Sequence, residues 1–255
     1  MIHGFYPDHR LMKGCMEPIF SDRPGWKRIY FDLPGMGRTR GESWIDCSDK
    51  VLEVVLAFID RILPHQSFLV VGESYGGYLA RGLLFEKLKS VDGLMLICPL
   101  IIATQEKRSL PPRKIIVEDR RLMSQINQSG ANEFASMAVI QSRVNWERFR
   151  DEILVGLKVA DTTYLERLNK GYEFSFDADS LPEPYDKPTL IVAGRQDSSV
   201  GYKDAWSIIE NYPRATFAVL DGAGHNLQIE QAQVFNALVL EWLDRVQTGK
   251  MKLNT

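Results

Sequence analysis

The sequence predicts an α/β protein whose mostly parallel sheet is flanked by helices. Three observations lead there. Short apolar or β-branched runs recur at Lys27–Phe31, Phe68–Val71, Val91–Cys98, Thr189–Ala193 and Thr216–Leu220. Apolar stripes at helical spacing separate or follow several of them. Strands alternating with helices bury their apolar faces best as a parallel sheet covered on both sides. Ligands then bind at the carboxyl ends of the strands.

Taken in order, Lys27–Phe31 reads as a strand closing at Asp32, followed by the loop PGMGRTRG. That loop lacks a third glycine at the right spacing and a Gly-Lys-Ser/Thr, so it is no nucleotide cradle. From Ser48, read as the N-cap, Val51, Leu52, Val55, Leu56, Ile59 and Ile62 form an apolar helical stripe that stops at Pro64. Phe68–Val71 is a buried strand, and after Gly72-Glu73-Ser74-Tyr75-Gly76 the residues Leu79, Ala80, Leu83, Leu84 and Leu88 resume helical spacing. Val91–Cys98 is a further strand, closed by Pro99.

Residues 101–186 break the alternation with PPRK, the charged tract VEDRRLMSQINQ and helical segments near Phe134–Ile140, Trp146–Leu157 and Thr162–Leu168. They read as a helical cap inserted into a core made of residues 1–100 and 187–255. Pro182, Pro184 and Pro188 mark the return to the sheet. At the end of the chain Phe235, Leu238, Trp242 and Val246 share one helical face.

The chemistry concentrates in the G-x-S-x-G at 72–76. A serine at a strand-to-helix turn with glycine two residues to either side is a nucleophile elbow. The turn strains the serine backbone, and glycine removes the collisions that side chains would cause at the flanks. A nucleophilic serine needs a base, and the base an orienting carboxylate. Of the four histidines, His225 follows a strand late in the chain on a loop of small residues, whereas His65 reads as solvent-facing. Asp197, in the turn after Thr189–Ala193, is the favoured acid, with Asp221 as its rival. The order Ser74, Asp197, His225 matches one of three unrelated triad architectures.

These pieces, with Ile2-His3-Gly4-Phe5, Asp32-Leu33-Pro34-Gly35-Met36-Gly37 and Gly224-His225, resemble the α/β-hydrolase superfamily. The resemblance is to its lid-bearing serine hydrolases: carboxylesterases, C–C bond hydrolases and proline iminopeptidases. It implies an oxyanion hole built from the backbone N–H groups of Phe5 and Tyr75, whose rings would wall the pocket, with His3 anchoring the loop. Met123, Phe134, Met137 and Trp146, with Phe149, Tyr164 and Phe174, are candidates to line an acyl pocket, more than half of them serving ordinary packing instead. The pattern also places an antiparallel strand pair and most of a third strand before the His-Gly loop, where this sequence has Met1-Ile2. The N-terminal strands are therefore expected to be missing, leaving a gap between Lys27–Phe31 and Phe68–Val71, as in a piece of a longer product or a misplaced start.

The expected activity is acyl-enzyme hydrolysis of a small carboxylic ester. The alternatives are a C–C bond hydrolase, an aminopeptidase of the same fold, or a non-catalytic hydrolase-like binding protein. Composition frames this reading. At 255 residues, 45% apolar and 25% charged, with net charge −2, the chain is an ordinary globular one without the basic surface that nucleic acid requires. No run approaches the ~18 apolar residues of a membrane span, and MIHGFYPDHR does not read as a secretory signal. Cys15, Cys47 and Cys98 read as free thiols of a reducing cytoplasm. No cofactor or metal is expected. The partner is a small-molecule substrate, and homodimerisation stays open.

Overall fold

The computed structural model describes residues 1–253, and side chains through residue 249. Four strands, β1 (Phe68–Glu73), β2 (Val91–Ile97), β3 (Thr189–Gly194) and β4 (Ala215–Leu220), form one parallel sheet in the order β1-β2-β3-β4. The two central strands are almost wholly buried, which is why they read as unbroken apolar runs rather than alternating ones. The register pairs Glu73 with Ile97, Ile97 with Val192 and Gly194 with Leu220. The loops after all four strands therefore leave the sheet along one edge.

Helix α1 (His9–Phe20) is one that sequence reading leaves unassigned. Gly14 and Pro18 mask it, yet Leu11, Cys15 and Ile19 recur every fourth residue and are buried. Helix α2 runs from Ser48 to Ile62. Ser48 proves to be its first residue rather than its cap. The hydroxyl is drawn away to Tyr172 O (2.8 Å) and the Tyr75 hydroxyl (2.9 Å). Helix α3 (Tyr75–Glu86) packs on β1 and β2, with α2 against it.

Lys27–Phe31, expected to be a strand, joins no sheet among the described residues. A strand is defined by its ladder, and the flank that would pair here is open. Among the described residues only Ile2 spans it, donating its N–H to Val71 O (2.8 Å) and accepting from Glu73 N (3.1 Å), while Met1 N donates to Ile29 O (2.9 Å). Beyond Ile2 lies a cavity of about 240 Å³ lined by Met16, Phe58, Ile59, Phe68, Trp242 and other mostly apolar groups. It lies between Lys27–Phe31 and Phe68–Val71.

Between β2 and β3 the chain is helical: α4 (Arg120–Gln125), α5 (Gln128–Met137), α6 (Arg143–Phe149), a π-turn (Arg150–Leu154), α7 (Val155–Val159) and α8 (Thr162–Leu168). Asp119, Asn127, Ser142 and Asp161 cap four of these helices through their side-chain oxygens. The cap at Asn127 splits the charged tract into two helices. Phe134, Trp146 and Phe149 form an aromatic cluster, with centroids 5.4–6.3 Å apart. After β3 come α9 (Lys203–Ser207), β4, α10 (Leu227–Glu230) and α11 (Ala232–Leu253). Phe235, Trp242 and Val246 of α11 are buried, and the helix packs on β3 and α1. No helix among the described residues is long and apolar enough to cross a membrane.

Candidate active site

Ser74 sits between β1 and α3 with φ 53° and ψ −117°, in the left-handed half of backbone space that a side chain disfavours. Two crowded glycines make the turn feasible. A Cβ on Gly72 would come within 2.2 Å of Gly76 O, and one on Gly76 within 2.2 Å of Ile2 O. Hydrogen bonds pin the strained residue: Ser74 N donates to Ile97 O (3.0 Å), and Leu100 N donates to Ser74 O (3.0 Å).

His225 reaches this point on the loop after β4. The loop approaches β3 so closely that a Cβ on Gly194 would stand 2.2 Å from Gly224 O. Its anchor is Glu230, half-buried at the end of α10. That carboxylate accepts from Gly224 N (2.6 Å), Val139 N (2.5 Å) and Ile140 N (3.0 Å), tying the histidine loop to the segment between β2 and β3. Sequence reasoning missed Glu230. Its only signal is a carboxylate shortly after His225 in the chain.

His225 Nε2 lies 2.9 Å from Ser74 Oγ, and Nδ1 lies 2.9 Å from Asp197 Oδ2. Asp197 is fully buried, and its other oxygen accepts from Ser199 N (2.8 Å) and Val200 N (3.2 Å). The rival Asp221 instead accepts from Gln196 Nε2 at the surface. Burial pushes the Asp197 carboxyl up, but the charge and hydrogen bond of His225 and the two N–H groups outweigh it and hold the acid below its ordinary range. Burial likewise disfavours a charged His225, yet Asp197 and then Glu73 raise it above an ordinary imidazole. With Asp197 accepting at Nδ1, the neutral ring keeps Nε2 free to take a proton.

Glu73, immediately before the serine, is 1% exposed and was not singled out from the sequence. Its Oε1 lies 3.5 Å from His225 Nε2. Burial first, then the charge of Asp197, pushes its carboxyl up to about 7, against the pull of His225 and the Gly4 N–H.

His3 behaves as an anchor. Leu33 N donates to its Nε2 (3.0 Å), so Nδ1 carries the proton and donates to Gly4 O (2.8 Å). Burial lowers its pKa to about 4, which keeps it neutral. The Phe5 ring lines a chamber beside Ser74, and the Tyr75 N–H lies in the first turn of α3, where helix donors lack intrahelical partners. The Tyr75 ring is not a wall of that chamber. It is fully buried, stacks on Tyr172 (4.8 Å) and bonds Ser48.

The chamber measures about 410 Å³. Of the four candidate lining residues only Met137 is there. Phe134 and Trp146 belong to the aromatic cluster, and Met123 packs against the core. Tyr6, Leu11, Ile153, Leu157 and Thr162, which sequence reading did not place there, supply much of the wall. Two clusters have metal-like donor sets, Cys98-Asp197-His225 and Asp8-His9-Asp32. Neither suits an ion. Burial holds the Cys98 thiol protonated, and Asp8 and Asp32 already accept from backbone N–H groups and neighbouring side chains.

A family model described as the alpha/beta hydrolase family matches residues 1–238. The monoacylglycerol lipase ABHD6 of Mus musculus is 23% identical over 265 residues, spanning 100% of this chain and 78% of its own length. The pimeloyl-[acyl-carrier protein] methyl ester esterase of Aeromonas hydrophila is 25% identical over 246 residues, with 94% and 92% covered. An alpha/beta superfamily hydrolase from Oenococcus oeni PSU-1 superposes with a TM-score of 0.89 at 31% identity, over 96% of this chain and 91% of that one. A thermophilic esterase from Thermogutta terrifontis shares the fold, with a TM-score of 0.67, 20% identity and coverage of 96% and 88%. Strand order, elbow and family match agree: this chain belongs to the alpha/beta hydrolase family.

Proposed function

We propose that the chain is a serine hydrolase that cleaves small carboxylic esters through an acyl-enzyme. One observation carries this reading: Ser74 Oγ, His225 and Asp197 form an unbroken hydrogen-bonded relay with 2.9 Å at each link, beside a largely apolar chamber. His225 Nε2 takes the hydroxyl proton as Oγ bonds to the ester carbonyl carbon, and the carbonyl π pair moves onto oxygen. The backbone N–H groups of Phe5 and Tyr75 receive that oxyanion, each donor supplying on the order of 3 kcal/mol. Collapse breaks the bond to the alkoxide, which leaves as the alcohol with the proton from Nε2. Water then adds to the acyl carbon and gives its proton to Nε2. The second collapse releases the acid and returns the proton to Ser74 Oγ.

Residues 101–186 serve as the cap, with Met137, Ile153 and Leu157 forming part of the acyl pocket. The lipases and esterases among the relatives support ester cleavage. Free cysteines suit a reducing, cytoplasmic location. The test is Ser74→Ala, which should abolish turnover of p-nitrophenyl esters and labelling by a fluorophosphonate while the melting temperature persists. Retained turnover refutes the assignment.

A further inference from the structure

The chamber beside Ser74 holds a carboxyl group that the hydrolysis just described does not use. Glu73 lines it from the end of β1. Its Oε2 is buried and makes no hydrogen bond of good geometry among the described residues; the nearby Gly4 N–H pulls on the carboxyl without completing one. That oxygen lies against the oxyanion loop, 2.3 Å from where a Cβ on Gly4 would stand. A second carboxylate, the exposed Glu133, borders the same chamber, and its lining includes neither lysine nor arginine. A buried acceptor left short of a well-formed hydrogen bond is costly, and a ligand that brings a charged donor relieves the cost. An acyl group with its own carboxylate would instead bury like charges together.

We propose that Glu73 makes this site selective for substrates carrying a protonated amine next to the scissile carbonyl, with esters of α-amino acids as the simplest case. This deepens the serine-hydrolase reading and rests on it. The ammonium donates to Oε2, so the carboxyl is ionised and satisfied once substrate binds. Without such a donor, burial keeps it largely protonated below about pH 7. Consecutive residues then read adjacent parts of the substrate: Ser74 the carbonyl carbon, Glu73 the substituent on its neighbour.

The test compares three methyl esters at neutral pH by titrating the acid released: alanine methyl ester, methyl propionate and monomethyl succinate. In the wild type, kcat/KM for the alanine ester should exceed that for the propionate by about tenfold or more, the scale of one charge-assisted hydrogen bond. The succinate should be slowest. In Glu73→Gln the alanine-to-propionate ratio should fall by about tenfold or more from its wild-type value, the α-ammonium's intrinsic activation of the ester being common to both enzymes. Because both rates come from one preparation, any loss of folded protein cancels in the ratio. Equal or faster turnover of the propionate by the wild type overturns the inference, as does a ratio unchanged by the substitution. If no ester is hydrolysed and fluorophosphonate leaves Ser74 unlabelled, the serine-hydrolase reading falls with it. If Ser74 is labelled but the alanine ester is not preferred, this inference falls alone.

Discussion

Replacing Glu73 with glutamine also tests what burying this carboxyl costs the fold. In the unfolded chain it releases its proton near 4.5, and in the folded protein only near 7. Between those values the native state binds the extra proton, so stability falls as pH rises. The slope is about 1.4 kcal/mol per pH unit, and the whole window amounts to ~3 kcal/mol. Above pH 7 the cost is present in full, and below about 4.5 it is absent. Glutamine has nearly the same shape and no charge at any pH. The stability of Glu73→Gln relative to wild type should therefore rise by ~3 kcal/mol from pH 4.5 to pH 8, whatever packing change the amide brings. For a chain of this size that corresponds to a relative gain of roughly 6–12 °C in melting temperature. Thermal unfolding followed by circular dichroism for both proteins across that range is the assay. A difference that stays flat with pH would refute the argument, because it would mean that Glu73 titrates alike in the folded and unfolded chain.

Two further outcomes follow. Asp197→Asn should lower kcat by roughly 10⁴-fold, the loss seen when a triad amide favours the wrong imidazole tautomer, while ester KM and the melting temperature change little; a loss below about tenfold would remove Asp197 from the relay. Gly25→Ala and Gly35→Ala both force a side chain into positive φ (87° and 77°), but the first meets open space and the second a Tyr164 ring carbon at 2.1 Å. Gly41 faces the same ring, and the Tyr164 hydroxyl is bonded to Ile45 O, so the ring has nowhere to go. Gly35→Ala should thus cost ~1–3 kcal/mol more than Gly25→Ala in denaturant unfolding, and equal losses would contradict the clash.

The parts of the site legible in the sequence are those set by local chemistry. A glycine-flanked serine after an apolar run needs no distant information, because the crowding at residues 72 and 76 arises within one turn and its neighbours. Asp197 and His225 stood out because each follows a β-branched run, and parallel strands deliver such loops to one edge. Other features depended on what lies opposite in space. Helical spacing marks Phe134 and Trp146 as apolar and periodic, but only packing decided that they face Phe149 rather than the chamber. Likewise, Ser48 has the composition of a cap, and the nearness of Tyr75 and Tyr172 gave its hydroxyl another task. Lys27–Phe31 has strand composition but joins no ladder among the described residues.

The deepest division concerns charge. The sequence by itself determined which residues could react and in what order along the chain they come. Whether a carboxylate is a solvated surface group, a relay member or an orphan against the oxyanion loop depends on desolvation and on donors from remote segments. The sequence favoured Asp197 over Asp221, but the folded arrangement decided that Asp221 stays at the surface, Asp197 joins the relay and Glu73 is buried beside it.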